Sequence, residues 1–325
     1  VAVRDAGEWV PTVGVMKRIA ALTVVLSLSA APAIASDHPK PMGDYALKVI
    51  KDLTSEQRVQ GTPGEVRAGN KIRAWFKDSG LKTSVQKFSY TRRGVTSKSR
   101  NIVATIPGKT KKTIIIGAHY DNRPEGEGAD DNASGVSVMV EVAKRLAKQK
   151  PMQYTIKFVA FGAEENPAGL VGSNTFVKRM SPKQVKNAQV MINYDSLIVG
   201  DHMYVHAGAN EKVWARDMML SLAERYRLPL QVQPGWNPAY PAGIIPNQFS
   251  DYTAFNKAGI PIVAFESTNW EIADKDGYTQ TEQNGSYWHT PKDTLEKIMQ
   301  DFPHRPGVRL YVFTKVTMEF LKSVR

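Results

Sequence analysis

Cysteine is absent from all 325 residues. That absence excludes disulfides, thiolate zinc fingers, iron–sulfur clusters and a cysteine nucleophile, so any metal must rest on histidine and carboxylate. Long charge blocks, internal repeats and low-complexity linkers are missing too. With 42% hydrophobic, 9% aromatic and 23% charged residues the composition is globular, which excludes a collagen-like or disordered chain. The balance is basic, 43 Lys and Arg against 31 Asp and Glu, for a formal charge of +12. Without a Lys/Arg block this reads as a solvated surface bias, and no nucleic-acid partner is expected.

No uncharged run is long enough to cross a membrane comfortably. The best one, 19–35, has 17 residues with Pro32 inside. Lys17 and Arg18 precede it, Ile19 to Leu28 form its apolar part, and small residues stand at Ala33 and Ala35. This is the pattern of a secretory signal peptide. Met16 is the natural start, so residues 1–15 read as upstream sequence. Cleavage after Ala35 removes three cations and two anions and leaves 290 residues at +11. The expectation is an exported protein, periplasmic or secreted, with 36–325 as one domain and no membrane span after cleavage.

Apolar residues recur at helical spacing over 44–53, 64–79, 134–148, 212–225 and 309–322. In the second of these, Val66, Ile72, Trp75 and Phe76 share one side, and Gly80 is a natural stop. Runs at 85–90, 101–106, 113–116, 154–161, 190–194 and 261–265 read as strands. The apolar Thr113-Ile-Ile-Ile116 fits a strand buried on both faces. This interleaving predicts an α/β fold: a mixed, mostly parallel twisted sheet with helices on both faces. The irregular stretches 235–248 and 269–287 are expected to carry specificity.

Acidic and histidine residues gather where strands end, the place open α/β sheets build their sites. His119 and Asp121 follow one strand, Glu164 and Glu165 another, Asp195 a third. Asp130, Asp131 and Asn132 precede a helix, and His289 sits in a loop before the helix from Thr294. Singly, each has a bland reading as a helix cap, a solvated charge or a hydrogen-bonded loop histidine. Together, two histidines and several carboxylates suffice for two divalent ions sharing a bridging carboxylate. His119 and Asp121 stand two apart, so both side chains can point the same way, one ligating while the other orients the ring. Neighbouring side chains diverge, so one Glu of the pair can bind metal while the other faces water.

His-x-Asp (119, 121), Gly-Ala-Asp-Asp-Asn-Ala-Ser-Gly (128–135), Glu-Glu (164, 165), Asp195 and His-Thr-x-x-Asp-Thr (289–294) resemble the full motif set of the two-zinc (clan MH) aminopeptidase family. The resemblance runs over about residues 99–299. It implies two zinc ions per chain, with Asp131 bridging, His119 and Asp195 completing one site, and Glu165 and His289 the other. It also implies Glu164 as general base, Asp121 as the orienter of His119, a metal-bridging water as nucleophile, and a cis peptide between Asp131 and Asn132. The implied substrate is a peptide or protein N-terminus. The segments 193–201, 234–243 and 268–278 resemble an exported, arginine-trimming member of the family. A carboxypeptidase, a glutaminyl cyclase or a non-catalytic binding module on the same scaffold are the alternatives.

The chain departs from the family near its substrate pocket. Several members use a tyrosine three residues before a Ser-Asp pair to assist the oxyanion; before Ser250-Asp251 that position holds Asn247. Asn247, Tyr240 or Tyr252 could donate instead, or the metal could act alone. The family's disulfide near this loop is absent. Glu266 and the following loop are the other pocket candidates, because Glu271, Asp274, Asp276 and Glu282 against Lys275 give a local charge of −3. A carboxylate there would hold an arginine guanidinium by a two-pronged hydrogen bond.

Overall fold

Ile114, Ile115 and Ile116 lie in β3 (Thr113–His119), and alternate along it between two separate apolar cores. The computed structural model describes residues 41–324; the expected signal segment lies outside the described residues. Around β3 run β1 (Lys82–Arg92), β2 (Val95–Ile106), β4 (Thr155–Phe161), β5 (Ala188–Tyr194), β6 (His202–Gly208), β7 (Ile244–Ile245) and β8 (Ile262–Thr268). They form one sheet in the order β1-β2-β4-β3-β5-β8-β6-β7. Its centre, β4-β3-β5-β8, is parallel; β2 pairs antiparallel with β4 and β1, and β6 pairs antiparallel with β8 but parallel with β7. The mixed, mostly parallel sheet expected from the sequence is what forms.

Helices cover both faces. One core is sealed by α1 (Asp44–Leu53), α2 (Pro63–Asp78), α3 (Gly135–Leu146), α6 (Trp214–Arg225) and α9 (Arg305–Ser323). The other is sealed by α4 (Val171–Lys178), α5 (Pro182–Asn187) and α7 (Tyr252–Lys257); α8 (Leu295–Asp301) packs beside α9. Among the described residues no helix is long and apolar enough to cross a membrane. Helix α3 is apolar nearly all round and correspondingly buried. Each of its valines removed from water contributes ~1.5–3 kcal/mol, which anchors the turn feeding its N-terminus. Its one buried acid, Glu141, is satisfied by the amides of Gly43 (3.0 Å) and Ala46 (2.9 Å) and by Arg145 (2.7 Å).

Two sequence expectations need correction. Val66 is not on the buried side of α2: it is 44% exposed, and the packed stripe is Ala68, Ile72 and Phe76. Strand β6 was not anticipated, although Met203, Val205 and Ala207 alternate. The intervening His202, Tyr204 and His206 conceal it, because their face looks away from the larger core.

Candidate active site and metal centre

The parallel register brings the strand ends level. His119 of β3 pairs with Phe161 of β4, Gly117 with Asn193 of β5, and Tyr194 with Phe265 of β8. The residues that follow, Asp121, Glu164, Glu165 and Asp195, therefore leave the sheet along one edge. Asp131 reaches that edge from a kinked turn, Ala129–Ser134, ahead of α3, non-helical at Asp131 and Asn132, and the peptide between them is cis. His289 arrives on its loop with a left-handed φ of 57°, a conformation few non-glycine residues adopt outside strained sites.

Five side chains converge. His119 Nε2 lies 3.1 Å from Asp131 Oδ1 and 3.4 Å from Asp195 Oδ1. His289 Nε2 lies 3.2 Å from Asp131 Oδ2 and 3.5 Å from Glu165 Oε2. The result is two three-residue groups, His119–Asp131–Asp195 and Asp131–Glu165–His289, joined by Asp131. Two donors each ~2.05 Å from a tetrahedral zinc stand ~3.3 Å apart, so the observed spacings suit a metal ion in each group. Glu165 Oε1 is buried without a hydrogen-bond partner, as a ligand atom facing a cation would be. The donor set is oxygen and imidazole only, which also fits zinc.

The charges support the same fit. Burial alone would lower the His119 pKa, yet Glu164 and Asp195, with the hydrogen bond to Asp131, push it well above the imidazole range. His289 is pushed up to about 11 against its own burial by Asp131 and Glu165. Burial and the Asp131 charge lift Glu165 to about 7. Asp131 is held below the carboxylate range, since the two histidines outweigh its burial. A buried cluster this rich in carboxylate demands positive charge, the demand a pair of divalent ions meets.

Around the ligand atoms the backbone is held by buried acids. Asp293 accepts the amides of Asp130 (2.7 Å) and Asp131 (3.1 Å). Asp130 accepts the Ile198 amide (2.7 Å) and the Gln280 side chain (2.5 Å). The Asp121 side chain stands beyond hydrogen-bond reach of the His119 ring it was expected to orient. Its carboxylate accepts the amides of Glu164 (3.0 Å) and Glu165 (3.1 Å) and stands 3.9 Å from His119 Nδ1. The ring nitrogen instead faces the Asp121 backbone carbonyl at 3.2 Å. The main chain of Asp121 thus meets the imidazole, while its side chain accepts from the Glu-Glu turn.

A cleft of about 380 Å³ opens over the ligand atoms, with Glu164 in its wall and Phe249, Tyr252, Trp270, Tyr278 and Trp288 around it. Burial, then the charges of Glu165, Asp251 and Asp195, raise the Glu164 pKa well above the carboxylate range, with His119 opposing. Of the pocket candidates, Tyr252, Glu266 and Asp276 line this cleft. Asn247, Glu271 and Asp274 do not. The Asn247 amide oxygen accepts from Asn256, Glu271 leans to His202 at 3.8 Å, and Asp274 is an exposed turn residue whose carbonyl binds Asn237. Tyr252 is buried with its hydroxyl donating to the Pro246 carbonyl at 2.8 Å, so its proton is already engaged, and Asn247 lies outside the cleft lining.

Residues 101–312 match the profile of Peptidase family M28. The alkaline phosphatase isozyme conversion protein of Escherichia coli (strain K12) is 32% identical over 321 residues, covering 88% of this chain and 91% of that protein. The chain belongs to peptidase family M28. It is a peptide-bond hydrolase of the zinc aminopeptidase kind. A zinc aminopeptidase from Bacillus subtilis shares the fold with a TM-score of 0.70 at 19% identity, over 86% of this chain and 95% of its own. Porphyromonas gingivalis glutaminyl cyclase does so with 0.68 at 20% identity, over 86% and 97%.

In this M28 chain the sequence reading missed the residue that ties the site's loops together. Arg58 is wholly buried and donates to the carbonyls of Leu53 (3.3 Å), Tyr120 (2.9 Å), Glu127 (2.8 Å) and Gly128 (2.9 Å). It stands in a polar stretch before α2, and no local pattern marks it. Asp293 lay within a quoted motif, but its grip on the Asp131 turn spans 162 residues of sequence.

Proposed function

We propose that this M28 protein is an exported two-zinc aminopeptidase that releases the first residue of a peptide or protein chain, with arginine a preferred first residue. The observation that carries the reading is Asp131, whose two oxygens face different histidines, so one carboxylate can serve both metal positions. Bound in the two groups, zinc would polarise the scissile carbonyl and acidify a water molecule. The chain's own residues do the rest. Glu164, in the cleft wall and fixed at its amide by Asp121, takes the attacking water's proton and returns it to the leaving amine. Such a transfer is worth ~10²–10⁴-fold, and the raised proton affinity of Glu164 is in the direction a base working near neutrality needs. Asp195, steadied by the Ser250 hydroxyl at 2.5 Å, lies where the substrate's free amine would dock.

A panel of aminoacyl-4-nitroanilides, assayed before and after chelation and again after adding zinc, tests the reading. Zinc-restored release of nitroaniline is expected. Conversion of N-terminal glutaminyl peptides with loss of ammonia, and no cleavage of any nitroanilide, would make the protein a cyclase instead. Export rests on the 16–35 pattern: protein from intact cells should begin at Ser36, and a retained Met16 would refute it.

A further inference from the structure

We propose that Glu266 selects a guanidinium as the side chain of the substrate's first residue, an inference that rests on the aminopeptidase reading above. Tyr204 pairs with Glu266, and His206 with Ala264, across β6 and β8. Alternation along both strands then puts these four side chains on one face of the sheet. That face looks into the cleft, whose wall includes Ala264 and Glu266.

One oxygen of Glu266 is fully engaged. Oε1 accepts from His206 Nε2 at 2.9 Å and from Trp270 Nε1 at 2.5 Å. Among the described residues Oε2 has no protein donor, and the side chain is 14% exposed and lines the cleft. His206 is itself wholly buried, so the anchor is rigid. A carboxylate with one oxygen fixed and the other open to a cleft with aromatic walls is placed to meet a cation. Oε1 already holds two donors, so a two-pronged grip on both oxygens is not available. A guanidinium would instead donate to Oε2 and stack against the aromatic side chains of the cleft wall, among them Phe249 and Tyr278. A lysine ammonium could make the first contact but not the second. Asp276, the other acid in that part of the wall, is less firmly held. It sits in an irregular loop with one main-chain donor, the Tyr278 amide at 2.9 Å, while Glu266 stands in strand β8 with two side-chain donors.

The test uses the zinc-loaded enzyme and Glu266→Gln, which keeps the size of the side chain and an acceptor for Trp270. The readouts are the ratio of kcat/KM for Arg- over Leu-4-nitroanilide, and calorimetric affinity for free L-arginine over L-norleucine. Losing a charged hydrogen-bond partner should lower each ratio by ~10- to 100-fold. Glu266→Asp, which keeps the charge but withdraws it, should fall between, and thermal unfolding shows that each variant is folded. Glu271→Gln, outside the cleft, should leave both ratios as in the wild type. Unchanged ratios in Glu266→Gln, or a collapse confined to Asp276→Asn, would overturn the proposal. If the wild type cut no nitroanilide the aminopeptidase reading would fail, while the calorimetry would still decide the role of Glu266.

Discussion

Replacing Arg58 with methionine should cost the protein ~3 kcal/mol of stability and loosen its metal sites. Methionine fills much of the same volume but cannot donate, so four main-chain carbonyls lose their partner. Hydrogen bonds from a charged donor contribute ~1.5 kcal/mol each at the low end, ~6 kcal/mol for the four. Against this stands the cost of burying the cation. Burial draws the Arg58 pKa from its usual value down to about 10, despite the pull of Asp293, Asp121 and Asp131. That drop corresponds to ~3 kcal/mol, present at neutral pH because the group is charged in both folded and unfolded chains. The hydrogen bonds win by ~3 kcal/mol. For a chain of this size the melting temperature should fall by ~6 °C, read by near-UV circular dichroism. Two of the orphaned carbonyls, Glu127 and Gly128, lead directly into the Asp131 turn, so zinc affinity should weaken as well. A melting temperature within ~2 °C of wild type would mean that desolvation cancels the hydrogen bonds and that Arg58 is no brace.

Metal analysis of the purified protein should find close to two zinc ions, with His119→Ala and His289→Ala each losing one; one ion at full activity would favour the cyclase reading. Asp131→Ala should disturb both sites, because one carboxylate faces both histidines. Glu164→Gln should keep both metals while turnover falls ~10²–10⁴-fold, and unchanged turnover would sink its role as the base. On α9, Glu319 is held down to about 2: burial would raise it, but Lys322, Lys315 and the Tyr226 hydroxyl outweigh that. A depressed carboxylate adds stability above its unfolded pKa of 4.5 and loses it as pH falls toward 2. Glu319→Gln should therefore lower the urea midpoint at pH 7, and the deficit should shrink between pH 4.5 and 2; a deficit constant with pH would exclude the ion cluster as its cause.

Local pattern was enough to predict the mixed α/β layout, and the motif resemblance named the residues that the structure brings together in two groups able to hold a metal. Ile114 to Ile116 announce a strand covered on both faces, and the polar residues at 119, 121, 164, 165 and 195 follow strand runs directly. Their ends must lie together once the strands are parallel, because such sheets open their sites at one edge. Spacing carries this information because residues two or three apart keep a fixed relation whatever the rest of the chain does. What the sequence did not contain is every relation that depends on which distant segments meet. Arg58 matters because the loops after β3 and before α3 close around it, and Asp293 because its loop folds back onto the Asp131 turn. The acidic loop looked uniform in sequence, yet only Asp276 of its four acids reaches the cleft, while Glu266, back in strand β8, faces it from the sheet. Strand β6 was hidden because its His and Tyr residues look like loop polarity until β8 pairs with it and gives His206 a carboxylate to bind. Long-range pairing creates those contacts, and no window of local sequence contains both partners.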